Sequence, residues 1–574
     1  MLQTLFLRYQ AGRKNCPRHA PRLDRQSGLR YASYMAKKSL LASGLSLSFF
    51  TLCSRVLGLI REMTKARFLG TSVYADAFGI AFMIPNLFRR LFAENAISVA
   101  FIPTFRGYLE RTDGGGRAET KDFLRATFTL VSFLTAAVVT AGMAVTPLII
   151  PFFYDGNDPF VLAETALLTR LMFPYLFVIS VAAFFQGVLN GVKIFSPSGF
   201  TPVLFNALVI AATYALAPHT ANPARAMAIG VVAGGCVQAL FQLPFVIRTG
   251  WATGFTTLRN AFCNPGTRKV MRLILPTIVG MAAYQLNDVV STALAGRAGA
   301  GIVSSLQYSL RLQELILGIF AVSIGTVILP DLSALAKSCR WAQFNTMLTS
   351  ACKIIALIAI PMTFLSLVCG REIIALVYKS RSFDDSSVAL TLSAFRWHIA
   401  GLFFIAVNRI VSPAFYAQGN TKSPTLAGII GFGANIALAL VLVRPMSGGG
   451  IALALSIASA VNTVVLFVFL KKNPVIDVAT VIRGLARYAL KLVAFSLIAA
   501  VPASFVRRAL LPVFASSGRL LAFGVPLAAS AVAYGAVGVA LLALTKDDIV
   551  KILIAKLRRR RTDDRHEPPE KDRP

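Results

Sequence analysis

The stretch Ser54–Gly70, SRVLGLIREMTKARFLG, continues an apolar run that begins at Leu40 and is long enough to cross a bilayer. It nevertheless carries Arg55, Arg61, Glu62, Lys65 and Arg67. A second apolar segment, IPNLFRRLFAE, carries Arg89, Arg90 and Glu94. An arginine at the centre of a membrane helix costs about 2.5–3.5 kcal/mol on the insertion scale. These charges therefore indicate a polar function inside the membrane.

The composition places the whole chain in the membrane class. Its 574 residues are 56% hydrophobic and 14% charged, with a mean hydropathy of +0.67. A soluble protein would carry about a quarter charged residues. We therefore predict an all-α integral membrane protein. Apolar windows predict about fourteen transmembrane helices, near 39–68, 75–105, 123–153, 161–190, 197–217, 224–247, 269–296, 302–330, 342–370, 388–417, 424–443, 449–470, 484–506 and 520–544.

The charged loops predict the orientation. The segments 248–272 and 471–487 and the tail after Lys546 are rich in Lys and Arg, whereas the loop YDGNDPF at 154–160 carries only acids. The positive-inside rule requires the three basic segments in the cytoplasm and the acidic loop outside. An even helix count with both termini in the cytoplasm meets this requirement. Three arginines of the last hairpin lie on the other side and weaken the fit: Arg507, Arg508 and Arg519.

The formal net charge of +33 does not predict a nucleic-acid partner, because the basic residues lie mainly in short loops and at the two ends. The seven cysteines are scattered and show no CxxC spacing. We therefore expect neither a disulfide framework nor a metal site.

A faint internal repeat predicts two six-helix lobes around a central cavity. Predicted helix two carries Arg90, Glu94, Ser98 and Pro103, and predicted helix eight carries Arg311, Glu314, Ser323 and Pro330. Helices six spans apart run in the same direction, as in transporters built from parallel repeats. The predicted divisions are a basic leader at 1–34 (Met35 is the favoured start), an N-lobe at 35–250, a C-lobe at 251–472, two further helices at 473–545 and a charged cytoplasmic tail at 546–574.

The charged side chains differ in how deep they lie within their spans. Arg55, Arg89 and Arg311 lie far inside, where unpaired guanidinium groups need a watery cavity or a ligand. Arg61, Lys65 and Arg67 lie nearer a helix end, and Lys65 and Arg67 can equally extend to the membrane interface. Because the arginine fork matches phosphate oxygens, such a cavity suits a phosphate or diphosphate.

Other polar residues carry weaker predictions. Asn287 and Asp288, in YQLNDVV, are candidates for a cation or proton site, and pairing of Asp288 with a nearby arginine is an equal alternative. RWHIA places Arg396 and His398 early in predicted helix ten, and the favoured interpretation there is interfacial anchoring by Trp397 and Arg396.

These segments resemble the MurJ (MviN) lipid II flippase family of the multidrug/oligosaccharidyl-lipid/polysaccharide (MOP) exporter superfamily. The similarity covers about residues 36–545 and is most specific in SRVLGLIRE and in DAFGIAFMIPNLFRRLFAENAISVAFIP (Asp76–Pro103). Later matching segments are GTVILPDLS and PAFYAQGNTKSP.

The resemblance implies transport of a lipid-linked peptidoglycan precursor across the bacterial inner membrane for cell-wall synthesis, with no enzymatic step and no cofactor. It implies substrate-binding arginines and a supporting charge network, with the lipid tail along the last two helices. The arginines are Arg55, Arg61, Arg89 and Arg311, and the network is Asp76, Arg90, Glu94 and Glu314. We expect a monomer among membrane lipids that can associate with the cell-wall machinery, and coupling to Na⁺ or the membrane potential stays open.

The chain departs from the family pattern at two positions. The family often has an acid before the helix-eight arginine, where this chain has Leu310, and Asn95 replaces the usual Gly after Glu94. Two alternative functions stay open at this point. One is a flippase for another polyprenyl-diphosphate oligosaccharide of the O-antigen type. The other, less favoured because clustered acids or histidines are not seen, is a membrane enzyme acting on polyprenyl phosphates.

Overall fold

The computed structural model describes residues 49–94, 97–111, 116–154, 158–251, 253–547 and 549–551. The predicted leader at 1–34 and most of the predicted tail lie outside these residues. The described residues form helices and connecting turns, with no strand among them. In a bilayer only a helix or a closed barrel satisfies every backbone polar group internally, which is why continuous apolar runs become helices here.

The helices follow one another with short connections. The described part of α1 covers residues 49–69, and π-helical turns at Arg89–Glu94 and Ile97–Phe101 join α2 to α3. Two 3₁₀ turns, Ile150–Phe153 and Ala217–His219, extend α4 and α6. The remaining helices are α2 Val73–Phe88, α3 Ile102–Arg111, α4 Arg117–Ile149, α5 Pro159–Gly191, α6 Ser196–Leu216, α7 Pro223–Arg248, α8 Leu258–Cys263, α9 Pro265–Ala298, α10 Ile302–Lys337, α11 Trp341–Val368, α12 Gly370–Tyr378, α13 Asp385–Ala400, α14 Leu402–Ala417, α15 Lys422–Lys471, α16 Val478–Val513 and α17 Arg519–Leu544.

The helices are long and apolar enough for a multi-pass membrane protein. Within the described residues, eight helices could cross a bilayer by length and composition, or nine if the bent pair α13–α14 is one span. The 50-residue α15 contains a kink at Ser447, where φ is 49° and ψ is −132°. The predicted number of fourteen spans stays a prediction, although each predicted window overlaps a described helix or helical run.

Several polar side chains inside the spans are satisfied by their own helix. The hydroxyl of Thr135 donates to the Val131 carbonyl at 2.7 Å, and Thr169 bonds the Thr165 carbonyl in the same way. Ser530 donates to the Pro526 carbonyl at 2.6 Å. This bond to the carbonyl four residues earlier lets Ser and Thr remain in an apolar helix without a partner elsewhere.

Breaks in the helices distinguish the structure from the predicted uniform spans. Predicted helix ten is divided at Gly401 into α13 and α14, which are bent by 43°. Predicted helix two changes at Arg89 to π-helical turns, and the first of these contains Arg89, Arg90 and Glu94. Such π segments are rare and are often found at functional sites.

The two halves of the chain form largely separate apolar cores. Residues before 251 form one apolar cluster and, together with Val270 of α9, a second, and residues from the second half, 251–472, form a large cluster that also holds Ala66 of α1 and residues of α16. A further cluster combines Ile80 and Phe153 from the first half with Ile302 and Ile451 from the second.

Polar contacts reinforce this meeting point, which we call the junction. It is formed by Gly70, Thr71 and Asp76 of the first half and by Gly301, Ser304, Tyr308 and Ser387 of the second. The hydroxyl of Tyr308 donates to the Gly70 carbonyl at 3.0 Å, and the hydroxyls of Thr71 and Ser387 lie 2.8 Å apart. The junction therefore joins the turn after α1 to the first turns of α10 and α13.

Candidate functional site

A cavity of about 820 Å³ lies between the two halves. Described residues of α1 and α2 form one wall, and described residues of α9, α10, α13, α14 and α15 form the other. The lining is polar for a membrane protein and includes Arg61, Glu62, Asn86, Arg90, Gln285, Asn287, Asp288, Gln307, Arg311, Gln313, Glu314, Asn408, Arg409, Asn435 and Asn462.

Two of the predicted substrate-binding arginines meet in this cavity. Arg61 donates to Glu62 at 2.8 Å, and the Arg311 guanidinium lies 3.8 Å from the same Glu62 oxygen. Arg311 also pairs with Glu314 at 2.9 Å, and 41% of its side chain remains exposed. Glu62 thus holds an arginine from each half, and Arg311 still presents donors to the open space.

Arg55 and Arg89 lie outside the lining. Arg55 donates from Nη1 to the Gly318 carbonyl of α10 at 3.0 Å, which ties α1 to α10. Arg89 donates from Nε to Oδ1 of Asn86 at 2.8 Å. The structure therefore separates the four predicted arginines into a pair at the cavity and a pair that contacts the surrounding helices.

The predicted supporting network is also divided. Arg90 lies 3.4 Å from Asp288, so Asp288 pairs with an arginine, which is one of the two alternatives left open by its sequence. The side chain of Glu94, another member of this network, lies outside the described residues. Glu314 contacts Arg311, as described above.

Asp76 lies at the junction, away from the arginines of the cavity. It is 3% exposed and accepts the backbone N–H groups of Gly301 and Ser304 at 2.6 and 2.7 Å. These two groups begin α10, so a carboxylate from the first half caps a helix of the second.

The structure decides the open alternative for Lys65 and adds His398 to the cavity. Lys65 does not extend to the interface, because it is 4% exposed and donates to Gln307 at 2.7 Å. His398 is buried and lines the cavity, with its Nδ1 2.6 Å from the Ser309 hydroxyl. Since successive helical residues differ by about 100°, Trp397 can point outward while His398 points inward.

The sequence analysis missed Arg409 and most of the amide side chains. Arg409 lines the cavity from α14, within the apolar stretch AVNRIVS. Arg311 was selected because a guanidinium group far inside an apolar span needs a watery cavity or a ligand. The same criterion applies to Arg409, so its sequence context would have identified it. Among the described lining residues, four arginines stand against three acids.

The candidate cation site is built of amides. Asn435 donates to Asn287 at 2.7 Å and lies 3.3 Å from the Ser291 hydroxyl. The Oδ1 atom of Asn435, itself 2% exposed, has no hydrogen-bond partner among the described residues. The described part of the chain contains no group of three or more His, Cys, Asp or Glu residues suited to a metal ion.

Comparison with known proteins decides the family. The family model for the lipid II flippase MurJ matches residues 65–517. The chain belongs to the MurJ family. A probable lipid II flippase MurJ of Treponema pallidum (strain Nichols) is 47% identical over 529 residues, which cover 91% of this chain and 99% of that protein. The lipid II flippase MurJ of Burkholderia cenocepacia is 32% identical and is aligned over 79% of this chain and 88% of its own length.

Solved structures support the same fold. A lipid II flippase MurJ in an inward closed conformation has a TM-score of 0.72 at 24% identity, covering 88% of this chain and 99% of that one. An inward-facing multidrug resistance MATE transporter of the MOP superfamily has a TM-score of 0.60 at 15% identity, over 75% of this chain and 96% of its own. The chain is thus an all-α, multi-pass membrane protein of the MurJ transporter family.

Proposed function

We propose that this chain moves lipid II, the undecaprenyl-diphosphate-linked peptidoglycan precursor, from the cytoplasmic to the periplasmic leaflet of the bacterial inner membrane. Membership of the MurJ family supports the substrate. The observation that carries the proposal is the convergence of Arg61 and Arg311, one from each half, on a cavity between the halves. Transport makes and breaks no covalent bond, and the protein acts as a monomer.

The arginines bind the diphosphate and the acids keep them in position until it arrives. A guanidinium group offers paired donors that match phosphate oxygens, and it stays charged in any surroundings. An entering diphosphate competes with Glu62 and Glu314 for these donors. A charged headgroup moved through hydrocarbon without such a cavity would lose its hydration with nothing in exchange.

Transport proceeds by alternating access. The acidic loop at 154–160 supports a periplasmic position for the junction, with both termini in the cytoplasm. In this proposal the junction contacts close the periplasmic side, and the headgroup enters from the cytoplasmic side. Rocking of the N-lobe, 35–250, against the C-lobe, 251–472, would then expose it to the periplasm. The lipid tail follows α16 and α17 within 473–545.

We also propose, on the basis of the transport function above, that a cation binds at Asn287, Asn435 and Ser291. Amide and hydroxyl oxygens are ligands for hard cations such as Na⁺, and Oδ1 of Asn435 is buried without a hydrogen-bond partner among the described residues. Rotation of the Asn435 amide by half a turn would bring this oxygen to the oxygens of Asn287 and Ser291. Flipping by purified protein in vesicles should then be faster in Na⁺ than in K⁺, and Asn435→Leu should remove the difference. Equal rates in both salts would favour coupling to the membrane potential.

The test of the main proposal is complementation. A bacterium depleted of its own lipid II flippase should resume growth and wall synthesis when this chain is expressed, and lipid II should reach the outer leaflet. Lipid II that accumulates on the inner leaflet despite membrane-inserted protein would overturn the proposal. Rescue of an O-antigen flippase mutant by the same gene, in that case, would identify the alternative substrate class.

A further inference from the structure

Lys65 is a buried ammonium group that contacts the second half of the chain through a neutral partner. It lies in α1, one turn after Glu62, and its Nζ donates to Oε1 of Gln307 on α10 at 2.7 Å. The rings of Tyr308 and Phe78 lie 5.1 and 5.8 Å from Nζ. No acidic oxygen of the described residues lies within ion-pair distance of it. A buried charge is costly unless it is paired. A carboxylate that moved next to Lys65 would therefore be stabilised there.

Glu62 is the carboxylate best placed to meet that demand. It precedes Lys65 by three residues, and side chains at this spacing are neighbours on a helix surface. In the described state Glu62 is instead turned to the cavity, where Arg61 and Arg311 hold it at 2.8 and 3.8 Å. Glu62 is thus paired with the two arginines to which the substrate is proposed to bind, and not with Lys65.

We propose that Lys65 is a positioning residue that transmits occupancy of the cavity to the junction. The inference rests on the proposed function. An anionic headgroup on Arg61 and Arg311 displaces Glu62, and Glu62 turns along α1 to pair with Lys65. Lys65 then leaves Gln307, and one tie between the two halves is broken. Without the anion the exchange is unfavourable, because it would leave Arg61 without its carboxylate and Arg311 with Glu314 alone.

The position of Gln307 explains why this exchange reaches the junction. The neighbouring Tyr308 donates to the Gly70 carbonyl at 3.0 Å, and its ring also faces the Lys65 ammonium. Gln307 packs against α2, since a Cβ atom at Gly79 would lie 2.7 Å from its amide nitrogen. One turn of α10 therefore contacts α1, α2 and the turn between them, and loss of the Lys65 bond loosens all three contacts together.

The experiment measures binding and junction opening separately. Purified full-length protein in nanodiscs is titrated with lipid II, and the distance between spin labels at Ser72 and Arg381 is recorded by electron paramagnetic resonance. Both positions are exposed, one in each half, and the native cysteines are replaced by alanine. The unmodified chain should bind lipid II and lengthen the distance.

The variants have distinct expected results. Lys65→Met should bind lipid II with an affinity within about threefold of that of the unmodified chain, but lipid II should no longer lengthen the distance between the spin labels. Lys65→Arg should retain part of the lengthening. Glu62→Gln should bind as tightly or more tightly, because its carboxylate no longer competes, and should also lose the lengthening. Gln307→Leu should lengthen the distance without lipid II. Arg67→Met, which alters an exposed charge on the same helix, should change neither reading.

Retention of the lengthening in Lys65→Met, or loss of lipid II binding in Glu62→Gln, would overturn the inference. Binding by the unmodified chain without any change in distance would also overturn it, while leaving the proposed substrate intact. Absence of lipid II binding by the unmodified chain would instead reject the proposed function.

Discussion

Arg507 on α16 donates from Nη1 to Oε1 of Glu372 on α12 at 2.9 Å, and the carboxylate is fully buried. This pair fastens the last two helices to the second half of the chain. On α17, Arg519 donates to the Lys379 carbonyl at 2.6 Å. Two of the three arginines that weaken the predicted orientation are thus held by tertiary contacts. The positive-inside rule counts only sequence positions and does not register such partners.

Replacement of Arg507 by methionine should destabilise the protein by about 3–5 kcal/mol, because it leaves the Glu372 carboxylate buried without its cation. Unfolding of the purified protein in detergent measures the change. The neighbouring Arg508 is exposed and serves as the matched control, with an expected effect of Arg508→Met within about 0.5 kcal/mol. The double variant Glu372→Leu/Arg507→Met should recover most of the loss, and equal effects of the two single arginine variants would contradict the buried pair.

Asp76→Asn should loosen the first turn of α10. An amide has one acceptor oxygen, whereas the carboxylate accepts from both Gly301 and Ser304. Hydrogen–deuterium exchange of the peptide around 299–306 should therefore become faster. Asp158→Asn is the control, because Asp158 caps its own helix, α5, by accepting from Phe160. Unchanged exchange in Asp76→Asn would show that the junction does not depend on this cap.

Gly296→Ala should separate α9 from the end of α4. A Cβ atom at Gly296 would lie 2.2 Å from the Phe153 carbonyl oxygen, so one of the two segments must move. Overpacking of this kind costs about 1–3 kcal/mol, which should appear as a lower unfolding temperature. Gly535→Ala, in α17, meets nothing within 4 Å and should be neutral or stabilise by up to about 1 kcal/mol. A Gly296→Ala protein as stable as the unmodified chain would contradict this close approach.

Arg311→Gln should weaken lipid II binding by about tenfold to a hundredfold, because hydrogen bonds to charged groups contribute roughly 1.5–3 kcal/mol. Arg61→Gln should behave alike. Arg55→Gln should leave binding within about threefold, since Arg55 contacts the Gly318 carbonyl and not the cavity. Titration of purified variants with lipid II separates these cases. A loss of binding in Arg55→Gln as large as in Arg311→Gln would show that Arg55 reaches the headgroup in another state.

The sequence predicted the helices better than their interruptions. Each apolar window overlaps a described helical run because a buried backbone in lipid must bond to itself. The kink at Ser447 lies between two predicted windows, 424–443 and 449–470, whereas the break at Gly401 falls inside the single window 388–417 and was not predicted. The position of that break depends on packing against neighbouring helices, which apolar periodicity does not encode.

The site was predicted in kind but not in detail. Arginines in apolar helices correctly indicated a polar cavity, and Arg61 and Arg311 line it. Arg55 and Arg61 lie six residues apart, on faces about 120° apart, so they cannot both face the same space from a straight helix. The sequence did not show which of the two faces the cavity, and neither His398 nor Arg409 was predicted to line it.

By itself the sequence determined the membrane class, the helical runs and the family, because hydropathy, run length and local motifs are properties of consecutive residues. The tertiary structure decided which charges meet: Glu62 between Arg61 and Arg311, Lys65 on Gln307, and Asp76 on the first turn of α10. These partners come from helices more than 200 positions apart in the chain, apart from the Arg61–Glu62 neighbours. Only the packing of the two halves brings such side chains within a few ångströms, and electrostatic interactions depend on that distance.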